Sequence, residues 1–166
     1  EYVDSPAAAD PAVWDFSIEM NWEASWYDDC VSLVVSSSYG GTGAPFYDGW
    51  CFDFESGNQL TVTQLLQRMG ADPVALEEAL YRDVKRRDEL DRQAAIERGL
   101  LPTGSLKEEN TAWWTSLDEL PFSLDGKGNI SFVISRFSAA QEEYVDDKVT
   151  LPLDAQPLPP DWEWQG

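Results

Sequence analysis

The sequence predicts an α+β domain: an antiparallel sheet with helices packed on one face, in the order strands, helices, strands. Three observations carry this expectation. Residues 14–22 alternate apolar and polar without a break, two well-capped helical segments occupy the middle of the chain, and the last third returns to short apolar runs separated by glycine turns. With 166 residues, 43% of them hydrophobic, the chain can bury one good core. The organisation reads as a flexible lead-in over 1–12, a single domain over 13–153 and a proline-rich tail over 154–166.

In the first strand Trp14, Phe16, Ile18, Met20 and Trp22 point one way, and Asp15, Ser17, Glu19 and Asn21 the other. Such clean period-two alternation predicts a half-buried strand, in which Ile18→Asp would cost several kcal/mol through an unpaired buried charge. "CVSLVVSSSY" predicts a second strand with Val31, Leu33 and Val35 on one face. "WCFDF" predicts a third, closed by a turn at Ser56-Gly57-Asn58. Thr61 and Gln64 have the spacing of a capping box ahead of a short helix that Gly70 ends. Asp72-Pro73 opens a longer helix running to Gly99. Its apolar stripe of Leu76, Ala79, Leu80 and Val84 thins afterwards, so its later turns are expected in solvent. Ser105 and Glu108 suggest a further short helix carrying Trp113 and Trp114. "LPFSL" and "NISFVI" flank Asp125-Gly126-Lys127-Gly128-Asn129 as a hairpin, and "KVTLPL" is the closing strand.

Composition excludes several functions. The formal charge is −20, which repels phosphate backbones and anionic lipid and attracts cationic partners; no nucleic-acid role is expected. There is no His, which removes His-based triads, His general bases and most zinc constellations. No apolar run approaches the ~20 residues that span a bilayer, so no transmembrane segment is expected. The aromatic weight of eight Trp, seven Phe and six Tyr argues against disorder. The chain begins at Glu1 without Met, which suggests that an upstream segment has been removed.

Motif chemistry is thin. The glycine-rich stretch "YGGTGAPFYDGW" is followed by a strand, and the nearest basic residue downstream is Arg68, which fails as a phosphate cradle. The Asp125–Asn129 segment begins like a calcium loop, but Ile130 and Arg136 stand where such a loop needs its glycine and its bidentate glutamate. A plain turn is expected. Acidic pairs such as Asp28-Asp29 and Glu142-Glu143 are too common here to mark a glycosidase. No Ser or Cys has a recognisable base nearby, so neither catalysis, nor a metal, nor any cofactor is expected.

Cys30 and Cys51 lack CxxC spacing, and two arguments oppose each other. An oxidising compartment favours a bridge. A hairpin pairing residues 31–39 with 50–54 would instead set Cys51 near Ser38 and leave Cys30 about 25 Å away. The second argument favours two separate thiols.

The segments "SLVVSSSYGGTGAP", "FDFESGNQLTVTQLL", "LPFSLDGKGNISFVISRFS" and "VTLPL", in that order, resemble the C-terminal extracytoplasmic domain of the RsiV type. That domain occurs in lysozyme-sensing anti-sigma factors and beside some peptidoglycan deacetylases. The resemblance covers about residues 31–153. It rests on Tyr39-Gly40-Gly41, Phe52-Asp53, Ser56-Gly57, Leu60-Thr61, Asp125-Gly126, Phe132 and Val149 to Pro152. The chain departs from the family at Thr42-Gly43-Ala44-Pro45, where a histidine is common, and at "SAAQEEYVDD" before the last strand. The resemblance implies a non-catalytic binding or sensing domain of the bacterial envelope, outside the cytoplasm, secreted or anchored through a segment absent from this chain. The expected partner is a basic protein such as lysozyme, which the −20 charge also favours; the alternative is an envelope enzyme or its cell-wall glycan-binding accessory, stacking sugar rings on Trp pairs such as Trp22/Trp26 and Trp113/Trp114, though most Trp are expected in the core. The candidate binding residues are Tyr39, Gly40, Gly41, Phe46, Tyr47 and Trp50 around the glycine loop, with Tyr144 from the stretch before the closing strand.

Overall fold

A computed structural model describes residues 18–39, 46–102 and 114–154. The lead-in, residues 14–17 at the start of the expected first strand, the loop residues 40–45, the capping box at Ser105 with Trp113, and all but the first residue of the tail lie outside them. Among the described residues the fold is α+β, with the strands divided between two antiparallel sheets. The first sheet orders β1 (Ile18–Tyr27), β2 (Cys30–Tyr39), β3 (Phe46–Asp53) and β4 (Gln59–Leu60) as they occur in the chain. The second holds β5 (Phe122–Leu124), β6 (Asn129–Ser138) and β7 (Glu143–Pro152), also in chain order.

Between the sheets in sequence lie α1 (Val62–Met69) and α2 (Pro73–Glu97). Local chemistry sets their ends. Thr61 and Gln64 form the reciprocal capping box, and Gly70 closes α1 at φ 66°, a left-handed conformation that glycine adopts without strain. Asp72 caps α2 by accepting from the N–H groups of Val74 and Ala75, with Pro73 at the first helical position. No helix among the described residues is long and apolar enough to cross a membrane.

The core joins both helices to both sheets. Val62, Leu65 and Leu66 of α1, and Leu76, Leu80 and Val84 of α2, pack with Phe122, Ile130, Phe132, Ile134 and Val149 of the second sheet and with Cys30 and Cys51 of the first. Beyond Val84 the helix does not run into solvent as expected; polar contacts take over there. Asp91 accepts from Ser138 Oγ and from the N–H of Ala139, fixing the β6–β7 turn, and Ala95 is fully buried. Arg136, almost enclosed, donates to Asp147 from Nε at 2.5 Å and sets Nη1 3.7 Å from Asp91 Oδ2.

The first sheet meets the second through β5, which lies across β1, β2 and β3. The Ser25 hydroxyl donates to the Leu124 carbonyl, and the Leu124 N–H donates to Ser32 Oγ at 3.0 Å. Gly49 leaves room for the Phe122 backbone. These contacts decide which face of the first sheet is buried, and they reverse the expectation for β1. Its strand period is as expected, but Ile18, Met20 and Trp22 lie on the face turned away from β5; over Ile18–Ala24 the opposite face, with Glu19, Asn21 and Glu23, is exposed as well, and only Ser25 and Tyr27 turn toward β5 and the core. Ile18 is 53% exposed.

Candidate functional site

Residues directly opposite in an antiparallel ladder point to the same face, and alternate residues to opposite faces. The register therefore sorts the first sheet. One face carries Ser25, Ser32, Gly49, Cys30, Cys51 and Asp53, which lie against β5 and the core. The other is assembled in rows: Met20, Ser37 and Phe46; Trp22, Val35 and Asp48; Ala24, Leu33 and Trp50; Trp26, Val31 and Phe52. Trp22 and Met20 are 71% and 66% exposed, and Val31, Leu33, Val35, Trp50 and Phe52 are partly exposed. Exposed apolar, aromatic surface of this extent makes the face a candidate interaction site.

One ring on it, Trp26, is held from two sides. Trp26 donates its indole N–H to the Asp28 carbonyl at 2.6 Å, and its ring lies 4.5 Å from that of Phe54, tilted by 58°. Asp28 takes φ 52°, which lets the β1–β2 turn close tightly. Asp48 is the one carboxylate within these rows.

At the far end of β3 an ion cluster stiffens the sheet. Arg68 of α1 bridges the carboxylates of Asp29 and Asp53. Hydrogen bonds from Ser56, followed by those from Arg68, hold the Asp53 carboxyl down at about 2. The Arg68 guanidinium is held more basic still by Asp29 and Asp53. The arrangement ties α1 to the β1–β2 and β3–β4 turns.

Cys30 and Cys51 are both free and fully buried. Their placement corrects the separation expected from sequence. β3 begins at Phe46, so it retraces β2 along its length and sets Cys51 opposite Ser32, one diagonal step from Cys30. Burial pushes the Cys51 thiol up to about 12, reinforced by its neighbour Cys30; burial also raises Cys30. The raised values favour the neutral thiol form of both.

The expected binding residues do not form one group. Phe46 and Trp50 lie on the outer face, and Tyr39 ends β2 opposite Ile18. Tyr47 alternates to the other face. Tyr144 belongs to the second sheet, where its exposed ring meets Phe137 edge-on at 5.6 Å. Gly40 and Gly41 lie outside the described residues. Sequence reasoning missed Ile18, Met20 and Phe54 as surface groups, and it weighed Trp22 and Trp26 as sugar-stacking rings but favoured the core, whereas both are exposed.

No group of three or more His, Cys, Asp or Glu suited to a metal ion occurs among the described residues. Asp125 instead folds its own turn, accepting from the N–H groups of Lys127 and Asn129 and from the Asn129 side chain. A groove of about 590 Å3 between the α1–α2 junction and the β5–β6 turn is lined by Tyr27, Asp72, Lys127 and Asn129, among others. Its Asp72 is committed to capping α2. Comparison with protein-family models, with curated proteins and with solved structures finds no match to this chain.

Proposed function

We propose that this domain is a non-catalytic binding module of the bacterial envelope, and that its partner is a cationic protein of which lysozyme is the type. The observation that carries the reading is the outward apolar face of the first sheet, with Met20, Trp22, Trp26 and Phe54 displayed on a chain of net charge −20. The two features divide the work. Long-range attraction raises the encounter rate with a basic protein, and desolvated aromatic anchors lengthen the residence time. The resemblance to RsiV-type extracytoplasmic domains supports both the class of partner and a place outside the cytoplasm.

One observation favours a second reading. Trp22 and Trp26 are exposed on one face of the first sheet, with the exposed Phe54 ring against Trp26, and exposed aromatic rings suit stacking on the rings of cell-wall glycan. Surface plasmon resonance against lysozyme, with a parallel retention assay on peptidoglycan, separates the two. Under the first reading lysozyme binds with an association rate that falls severalfold between low and physiological salt, as the Debye length shrinks to about 8 Å. Retention on glycan, insensitive to salt and without lysozyme binding at micromolar concentration, supports the second.

A further inference from the structure

β1 is an edge strand: β2 pairs with it on one side, and no other strand among the described residues pairs with it. Natural edges are blunted by charged side chains, proline, a bulge, a short length or a covering segment. β1 has no proline, lysine or bulge and is not short, and its only charges are Glu19 and Glu23. It runs ten residues without Pro, Lys or Arg, and its register with β2 is unbroken from Ile18↔Tyr39 to Tyr27↔Cys30. The β5–β6 turn approaches only its far end, where a Cβ at Gly126 would lie 3.5 Å from the Trp26 carbonyl oxygen. Along Ile18 to Ala24, alternate residues turn their N–H and C=O outward, and every side chain is exposed.

Those side chains specify an occupant. On one face stand Ile18, Met20 and Trp22; on the other stand Glu19, Asn21 and Glu23. A strand laid beside them would need apolar residues alternating with basic ones, the apolar set continuing the aromatic face and the basic set meeting the two glutamates. A second copy fits poorly. Antiparallel pairing of two β1 strands centred on Asn21 sets Glu19 of each copy against Glu23 of the other, between chains that each carry −20. The flanking segments of this chain fit no better: residues 1–12 hold Pro6 and Pro11 with three carboxylates, and residues 154–166 hold Pro157, Pro159 and Pro160 with three more.

We propose that β1 captures its partner by strand addition, pairing main chain to main chain along Ile18 to Ala24 with an extended segment of alternating basic and apolar residues. This rests on the cationic-partner reading and states how that partner is held.

The test titrates the full chain with three peptides and with lysozyme, while amide hydrogen exchange is followed in β1. The peptides are an alternating Lys/Val heptamer, the same heptamer N-methylated along its backbone, and its Glu/Val counterpart. The proposal expects the Lys/Val peptide to bind and to protect the outward-turned amides in 18–24, those that β2 leaves unpaired. N-methylation and Glu-for-Lys exchange should each weaken binding at least tenfold, and a Glu19→Lys/Glu23→Lys variant should weaken the Lys/Val peptide similarly while folding normally. Equal binding of the N-methylated peptide overturns strand addition. So does protection of the outward-turned amides of 18–24, those that β2 leaves unpaired, already in the free monomer, which would mean one of the chain's own segments lies there, or only in a dimer. Lysozyme binding without any peptide binding removes the edge and leaves the cationic-partner reading standing; failure of both removes both.

Discussion

Gly49 lies directly against the backbone of Phe122: a Cβ at position 49 would fall 2.6 Å from the Phe122 nitrogen and closer still to its carbonyl oxygen. This approach explains why the first sheet buries its small side chains and displays its large ones. β5 needs a shallow surface to lie on, and Gly49, Ser32 and Ser25 supply it. Gly49→Ala should therefore force β5 away from the sheet and lower stability by about 1–3 kcal/mol, as overpacking does. Urea unfolding measures it, and an unchanged midpoint would mean that β5 does not cross there.

The converse holds on the other face. Ile18→Asp should change stability by about 0.5 kcal/mol or less, because the side chain is already half in water. A loss of several kcal/mol in the same melts would restore the buried strand that the alternation suggested.

That reversal shows what was legible in the sequence. Alternation in β1 told that its faces differ, not which one meets the core. The deciding signal was on β2 and β3, where Ser32, Cys51 and Gly49 form a face too small to be the wet side of an aromatic sheet. Thr61 and Gln64, Asp72-Pro73, Gly70 and the Asp125–Asn129 turn were readable because each is fixed by chemistry within a few residues. The closeness of Cys30 and Cys51 was not, since it depends on β3 starting at Phe46, several residues before the apolar run. The packing around Asp91 was hidden for a related reason: a polar residue on a fading helical stripe looks solvated until the β6–β7 turn is seen against it.

Asp53 makes stability depend on acid. Its carboxyl sits at about 2 in the fold against an ordinary 3.8, so the unfolded chain takes up the proton first on acidification. The stabilisation it gives is fully present above about pH 4 and disappears as pH falls through about 2. Carboxyl NMR titration should show Asp53 still ionised at pH 3. In Arg68→Gln its pKa should rise only in part, because the Ser56 hydrogen bonds remain. An Asp53 titration near 3.8 in the native chain would contradict this assignment.

Arg136 and Asp147 form a nearly enclosed pair, with side chains 8% and 16% exposed. Asp147→Asn leaves a buried cation with poorer partners and should cost about 3–5 kcal/mol, whereas Arg136→Met with Asp147→Leu should cost far less. Thermal melts of both variants decide it. Equal losses would mean that the site tolerates no apolar filling.

Fluorine NMR of the 5-fluorotryptophan protein, titrated with lysozyme, tests most directly whether the displayed face is where a partner lands. Trp22, Trp26 and Trp50 share that face, while Trp114 packs against Tyr81 of α2. The account expects the Trp22 and Trp26 resonances to shift or broaden on binding, Trp50 to follow, and Trp114 to stay in place. A complex that moves Trp114 and leaves Trp22 and Trp26 unchanged would contradict it.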